Sequence, residues 1–140
     1  MKEKELLDKK REILKKLTLD ENIILENLEK FVNLSIKFFK FDVNAGEIVI
    51  TTNYQLSYEE KIYLLLVGKY FVNQYGIIEN YNSNRQQIKE ELEIPENTGI
   101  SNQLKNLLEE KAIKKIGKDD YIVNIFIMEK KLIELNQKYK

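Results

Sequence analysis

The side chains with the clearest capacity for binding chemistry are the lysines and amides between residues 98 and 118. This stretch carries five basic and two acidic residues, whereas the 140-residue chain as a whole balances 23 basic against 23 acidic residues. Lysine binds phosphate oxygens, and asparagine can bond the edges of purine bases. The local positive charge therefore makes nucleic acid the first ligand to consider.

Much of this stretch has the spacing of an amphipathic helix from about Asn97 to Lys111, which we call the reading helix. At about 100° per residue, one face is packed and comprises Ile100, Leu104, Leu107, Leu108 and Lys111. The opposite face carries Thr98, Asn102, Lys105, Asn106 and Glu109. Four of these five can bond phosphates or base edges. The alternative is a solvated surface helix, because any such helix turns polar residues outward.

Two β-prone segments, AIKKIG and YIVN, follow the reading helix and predict a hairpin about KDD. Its lysines could straddle a minor groove, although Asp119 and Asp120 at the tip oppose this, and a solvated hairpin is the alternative. Arg85 and Gln87 could touch phosphates or act only as solvated helix-capping residues. The full predicted DNA-contacting set is Arg85, Gln87, Thr98, Ser101, Asn102, Gln103, Lys105, Asn106, Lys114, Lys115 and Lys118.

Histidine and cysteine are absent from the chain. Their absence removes thiolate nucleophiles, disulfides, imidazole bases and zinc sites with the usual ligands. No Asp/Glu/Gly calcium-loop spacing, glycine-rich phosphate loop or nucleophile elbow is present either. We therefore expect a protein that is not an enzyme and that uses no cofactor or metal.

The longest apolar run, IYLLLV at Ile62–Val67, is far shorter than the roughly 20 residues of a membrane span. The first residues, MKEKELLDKKREILKK, alternate in charge and lack an apolar signal core. These patterns predict a cytoplasmic protein with no membrane contact.

The first 53 residues predict two helices and a hairpin. The first helix runs from Lys2 to about Leu17, and Thr18 and Glu21 have the capping-box spacing that begins a second. The second helix directs apolar residues toward a core, namely Ile24, Leu28, Phe31 and Val32. A hairpin over 37–43 and 47–51 follows, with a turn at Asn44-Ala45-Gly46. Its first strand could instead be the tail of the second helix.

Residues 54–140 predict a second domain built on a long buried helix. Ser57 and Glu60 have capping-box spacing at its start, and Gly76 is placed to end it. Ser83 and Gln86 have the spacing that opens the next helix, and Pro95 prevents its continuation. After the reading helix and the hairpin, Asn124 can cap a last helix that extends to about Gln137. The chain is therefore predicted to divide into residues 1–53 and residues 54–140.

The order helix, helix, turn, helix, two-stranded hairpin, helix resembles the winged helix-turn-helix superfamily of small prokaryotic and archaeal regulators. The resemblance lies in SNRQQIKEELEIPENTGISNQLKNLLEEKAIKK and YIVN, and it covers residues 56 to about 135. Its buried pattern is Ile88, Leu92, Ile94, Ile100, Leu104, Leu108 and Ile113. Two positions depart from the family, since Glu93 and Ala112 stand where glycine is expected. The resemblance implies a mainly α fold with a small β wing, DNA binding and transcriptional regulation.

Terminal helices of winged regulators often build a two-fold dimer, and the resemblance therefore implies a homodimer. The apolar residues predicted to form it are Leu6, Leu7, Ile13, Leu14, Leu17, Ile125, Met128, Leu132 and Leu135. The alternative is that the terminal helices only cover the core of one subunit. A second interpretation of function is a protein-interaction module in a larger assembly, without DNA binding of its own. The zero net charge, the acidic segment 54–97 and the extension of residues 1–53, which lies outside the resemblance, favour it. A protein partner would then bind through residues 1–53.

Overall fold

A computed structural model describes residues 2–17 and 21–140, without the side chains of residues 21–24. The predicted capping residue Thr18 lies outside the described residues, and so does the side chain of Ile24. The described chain is mainly helical with small antiparallel sheets. It divides into two compact units, Met1–Lys30 and Phe31–Lys140.

The helices and strands follow one another in an order close to the predicted one. The first are α1 (Lys2–Leu14), a 3-10 turn (Lys15–Leu17) and α2 (Glu21–Ser35). They are followed by β1 (Phe39–Phe41), β2 (Ile48–Ile50), α3 (Tyr58–Tyr75), β3 (Ser83–Asn84) and α4 (Arg85–Glu91). The last are α5 (Ser101–Glu109), β4 (Ile113–Ile116), β5 (Asp120–Val123), a 3-10 turn (Ile125–Ile127) and α6 (Met128–Lys138).

Helix α1 presents its predicted apolar stripe to solvent. None of its side chains is buried. The stripe consists of five apolar residues on α1 and the turn that follows it, namely Leu6, Leu7, Ile13, Leu14 and Leu17. Their side chains are between 45 and 84% exposed. We call this set the α1 stripe.

The β1–β2 hairpin is confirmed, and it packs on α3 within the second unit. Lys40 pairs with Val49, and the tight turn before β2 contains Gly46 at φ 72°. The rings of Phe39 and Phe71 stack at 5.9 Å between centroids. The compact unit that contains the hairpin begins at Phe31, and the division into domains after residue 53 stays a prediction.

Gly68 of α3 lets β2 approach the helix closely. A Cβ atom built on Gly68 would lie 2.8 Å from Cγ1 of Ile48 on β2. Any larger residue would have to displace the strand or that side chain. The glycine in the middle of α3 is therefore required by packing, although it lowers helix propensity.

Helix α3 is the centre of the core, and both of its predicted ends are confirmed. The Ser57 hydroxyl accepts the Glu60 N–H at 3.1 Å, and the Glu60 carboxylate accepts the Ser57 N–H at 2.8 Å. At the other end, Gly76 adopts a left-handed conformation at φ 96°. Ten residues between these ends are buried, six of them consecutive from Ile62 to Val67.

Strands β3, β5 and β4 form a second sheet in that order. The predicted hairpin is confirmed, with Ile113 opposite Val123 and Ile116 opposite Asp120. The prediction that Ser83 caps α4 is wrong, because Ser83 is held in β3 opposite Tyr121. Asn84 caps the helix instead and forms the capping box.

The predicted start of the reading helix is also wrong. Helix α5 begins at Ser101 rather than near Asn97, because Pro95 to Thr98 form a turn in which the Thr98 N–H donates to the Pro95 carbonyl at 2.9 Å. Glu93 and Lys111, on either side of this region, both have left-handed backbones, at φ 56° and 63°. Glu93 is one of the two positions where the family pattern has glycine.

The last helix belongs to the core of its own unit. Asn124 accepts the Phe126 N–H at 3.2 Å and donates to the Lys111 carbonyl at 2.8 Å, which fixes the turn before α6. Three residues predicted for the dimer interface are instead buried in the core, because α6 turns this face inward; they are Met128, Leu132 and Leu135. Ile125 is half-buried.

Candidate nucleic-acid interface

Helix α5 has the two-faced character that its sequence predicts. Ile100, Leu104 and Leu107 are buried, and Leu108 is half-buried. The opposite side presents Asn102, Lys105, Asn106 and Glu109 as exposed side chains, and the exposed Ser101 and half-buried Gln103 flank it. Thr98 is not on this face, because it lies in the turn before the helix. The polar face is therefore a set of two amides, one lysine and one carboxylate on one rigid helix.

The hairpin lysines divide between the two faces of the β4–β5 ribbon. Directly paired residues share a face, and successive residues alternate. Lys115 pairs with the buried Tyr121 and so belongs to the inner face, whereas Lys114 pairs with Ile122 on the outer face. Lys118 is exposed in the connecting turn. One surface cannot therefore engage Lys114 and Lys115 equally.

Lys114 has an aromatic neighbour on its own side. Its ammonium lies 5.2 Å from the ring centroid of Phe126, and Phe126 is 84% exposed. An exposed aromatic ring beside a cation adds apolar contact area to the outer face of the hairpin. The sequence placed Phe126 on a second face of the last helix and gave no sign of this pairing.

Arg85 joins the starts of α4 and α5 to the hairpin. Its Nη1 donates to the Ser101 hydroxyl at 2.9 Å, and its Nη2 donates to the Tyr121 hydroxyl at 3.4 Å. The carboxylate of Asp119 lies 3.7 Å from Nε and also accepts the Arg85 N–H at 3.4 Å. We call these four residues the Arg85 junction.

The contacts of the Arg85 junction also determine the charge of Arg85 and how much of it is neutralised. The hydrogen bond to Tyr121 raises the pKa of Arg85, burial opposes this rise, and the carboxylate of Asp119 adds to it. Arg85 is therefore charged at every pH of interest, but Asp119 neutralises part of its field. Both side chains remain nearly half exposed, so a phosphate could compete with Asp119 for the guanidinium.

The structure brings the predicted contacts together only in part. Gln87 is used to cap α4 by accepting the Asn84 N–H at 2.9 Å, and Asn106 donates to Glu59 of α3 at 3.0 Å. Arg85 and Ser101 are engaged with each other. In the described part of the chain, the side chains of seven predicted contacts form no hydrogen bond or ion pair, namely those of Thr98, Asn102, Gln103, Lys105, Lys114, Lys115 and Lys118.

Two partners in this region were missed by sequence reasoning. They are Tyr121, which accepts from Arg85, and Glu59, which accepts from Asn106. Both contacts depend on residues 36 and 47 positions apart along the chain, and local spacing carries no signal for them.

The described residues include no cluster of carboxylates that could hold a metal ion. None of the helices formed by residues 2–17 and 21–140 has both the length and the apolar character needed to traverse a bilayer. No protein-family model, curated protein or solved structure matches the chain.

Proposed function

We propose that this protein is a DNA-binding winged-helix protein that regulates transcription as a dimer. The observation that carries the proposal is the Arg85 junction, which fixes the polar face of α5 beside the inner face of the β4–β5 hairpin. The succession α3, β3, α4, α5, β4, β5 and the strand order β3-β5-β4 support it, because they follow the element order of the winged-helix resemblance.

In this proposal α5 enters the major groove. Asn102, Lys105 and Asn106 bond base edges or anchor the helix, with Asn106 leaving Glu59 to do so. Ser101, Gln103 and Arg85 hold phosphates near the start of the helix, and Lys115 and Lys118 extend these contacts along the backbone. With few free cations in each subunit, binding to random DNA is weak and falls as the salt concentration rises.

The proposed dimer forms through the α1 stripe. Five large apolar side chains exposed on one helix and its following turn are an unusual surface for a monomer. A two-fold dimer presents two copies of α5 to half-sites about one DNA turn apart, roughly 34 Å. The core positions of Met128, Leu132 and Leu135 leave the interface to the N-terminal residues.

The test is retention of a labelled fragment from upstream of the protein's own gene, with unlabelled random DNA as competitor and at two salt concentrations. We expect retention that resists the competitor and weakens with salt. Lys114→Glu combined with Lys115→Glu should lower affinity about tenfold or more, since it replaces the Lys115 cation beside the DNA backbone with an anion and reverses a second charge on the same hairpin. Lys130→Glu, an exposed position on α6, is the matched control and should change little.

The single hairpin variants refine this test. Because Lys115 shares the inner face with the Arg85 junction, Lys115→Glu should account for most of the loss and Lys114→Glu for little. Equal binding by the double variant and the parent protein would remove the hairpin from the DNA interface. Absence of any binding at low salt, even to random DNA, would count against the whole proposal.

A second candidate function is a protein-interaction module without DNA binding of its own. The exposed α1 stripe and the zero net charge of the chain favour it. A stable partner that binds through residues 1–53, together with no measurable affinity for DNA, would establish this function instead.

A further inference from the structure

The β1–β2 sheet has an open edge along β2. The Asp42 N–H donates to the Glu47 carbonyl at 2.9 Å, and the Thr51 N–H donates to the Phe38 carbonyl at 3.0 Å. The backbone groups of residues 47 and 51 therefore point toward β1. Since this direction alternates along an antiparallel strand, those of Ile48 and Ile50 point the opposite way.

Nothing in the described residues pairs with this edge. β2 has β1 as its only strand neighbour there, and no backbone bond joins Ile48 or Ile50 to another segment. The edge borders a groove of about 380 Å³, within the usual size range of binding clefts. Residues from both faces of β2 line one wall, and Glu91, Leu92 and Glu93 at the end of α4 line the other.

The walls of this groove are acidic. Glu47, Glu91 and Glu93 contribute three carboxylates, and Lys61 contributes one ammonium. Glu91 is paired with Lys69 at 2.6 Å, whereas in the described part of the chain Glu47 and Glu93 have no ion-pair partner. With Glu91 neutralised by Lys69, the carboxylates of Glu47 and Glu93 and the ammonium of Lys61 leave the groove lining with one net negative charge.

Glu93, in the groove wall, has a backbone conformation that is unfavourable for a residue other than glycine. Its backbone is left-handed at φ 56°, a region where glycine is far less strained than any other residue. Its side chain is exposed, so packing in the core does not require it. The carboxylate is therefore open to solvent and accessible to a ligand in the groove.

We propose that the groove along β2 binds an extended, basic segment of another protein, which adds a third strand to the β1–β2 sheet. The unpaired N–H and C=O groups of Ile48 and Ile50 can be satisfied in register only by another extended chain. Lysine or arginine side chains of that segment lie beside Glu47 and Glu93, which selects basic over acidic sequences. None of the proposed DNA contacts lines the groove, so this site is independent of the α5 interface.

The test uses the full-length protein and a short fluorescent peptide of alternating lysine and valine. We expect saturable binding by fluorescence anisotropy, and loss of binding when alternate amides of the peptide are N-methylated, because methylation removes the donors that an added strand needs. An acidic peptide of alternating glutamate and valine should not bind. Amide hydrogen exchange at Ile48 and Ile50 should slow when the basic peptide is present.

A second test keeps the basic peptide and reverses the charge of the two acidic residues in the groove walls. Glu47→Lys combined with Glu93→Lys should weaken peptide binding about tenfold, the size expected for the loss of two exposed charge contacts and the repulsion that replaces them. Glu79→Lys, at an exposed acid outside the groove, is the control and should leave binding unchanged. Thermal unfolding of all three proteins confirms that the variants are folded.

Three outcomes would overturn the proposal. The N-methylated peptide could bind as well as the unmethylated one, which would show that the peptide is held by electrostatic attraction alone and not as an added strand. The basic peptide could fail to bind at all. The protein could instead form dimers that Glu47→Lys with Glu93→Lys disrupts, in which case a second copy, and not a basic segment, occupies the edge.

Discussion

Arg85 has two roles that oppose each other. Its bonds to Ser101 and Tyr121 fix the start of α5 against the hairpin, and its charge is the one most favourably placed for a phosphate. The carboxylate of Asp119 forms an ion pair with the guanidinium and neutralises part of its charge. In the proposed complex, DNA must therefore compete with a carboxylate of the protein itself, which lowers affinity for any sequence that supplies too few other contacts. This arrangement favours discrimination between sites over tight general binding.

The carboxylate of Glu60 makes the stability of the second unit depend on pH. It accepts the Tyr139 hydroxyl at 2.6 Å, the Lys138 ammonium at 2.9 Å and the Ser57 N–H. Burial raises the pKa of Glu60, but these hydrogen bonds lower it by more, so the pKa lies below the ordinary value of 4.5. The unfolded chain then binds the proton more readily. The stabilisation from Glu60 is fully present above about pH 4.5 and is lost as pH falls through the lowered pKa.

We predict that Tyr139→Phe lowers the free energy of unfolding by about 1 kcal/mol at neutral pH, the usual contribution of one such hydrogen bond. It should also reduce the loss of stability on acidification, because the pKa of Glu60 moves back toward its ordinary value. Urea unfolding at neutral and acidic pH measures both effects. Tyr75→Phe is the control, since Tyr75 is exposed and its hydroxyl has no partner among the described residues. An unchanged pH dependence in Tyr139→Phe would contradict the assignment.

The contact between the β1–β2 hairpin and α3 depends on the absence of a side chain at Gly68. Helix propensity alone predicts that Gly68→Ala gains up to about 1 kcal/mol. The new methyl group would lie 2.8 Å from Ile48 Cγ1, however, and overpacking of this kind costs about 1–3 kcal/mol. We therefore predict that Gly68→Ala destabilises the protein, as measured by chemical unfolding.

Two further variants test the cause. A Cβ at Gly99, before α5, would meet no atom within 4 Å, so Gly99→Ala should be neutral or slightly stabilising. In an Ile48→Ala background, Gly68→Ala should cost much less, because the clashing atoms are gone. An equal cost in both backgrounds would show that the helix itself, and not the strand contact, is responsible.

Elements whose ends are set by neighbouring residues could be predicted from the sequence. The capping box of Ser57 and Glu60 and the left-handed Gly76 define α3, and the turn before Gly46 together with its β-prone flanks defines the first hairpin. The start of α4 was misplaced by one residue because Ser83 and Asn84 both have a glutamine three positions on. Only the pairing of Ser83 with Tyr121 decides between them, and that pairing is formed across the fold.

The candidate interface shows the same limit. The polar face of α5 followed from helical periodicity, since it needs only the positions of its apolar residues. The Arg85 junction did not, because it joins four side chains from three segments that are distant in sequence. The sequence left open whether Met128, Leu132 and Leu135 form a dimer interface or cover the core of one subunit, and the structure has them buried. An apolar helix face shows that the face can pack, but not whether it packs inside its own subunit.

The two compact units differ in how much apolar surface they leave open. The described helix of the first unit buries none of its side chains, whereas the second unit contains a full core around α3. A helix of this length is only marginally stable alone in water. The α1 stripe therefore gains most from a partner, which in our proposal is a second copy of the chain.

We predict that Leu14→Glu converts a dimer at micromolar concentration into a monomer, because it places a charge in the middle of the α1 stripe. Sedimentation equilibrium measures the mass directly. The core should be unaffected, since Leu14 is exposed and lies outside the second unit. Asp8→Lys reverses a charge of α1 on the side away from the stripe and should leave the mass unchanged. A parent protein with the mass of one chain would exclude this dimer.

The bonds at Glu60 have a consequence for the newly made chain. The carboxylate that caps the first turn of α3 finds two of its partners at Lys138 and Tyr139, and the carbonyl of Tyr139 accepts the ammonium of Lys37. Core positions such as Leu132 and Leu135 also come late in the chain. The packing around α3 is therefore complete only after residue 139 has left the ribosome, more than 60 residues after the end of the helix, and part of its apolar surface stays uncovered until then.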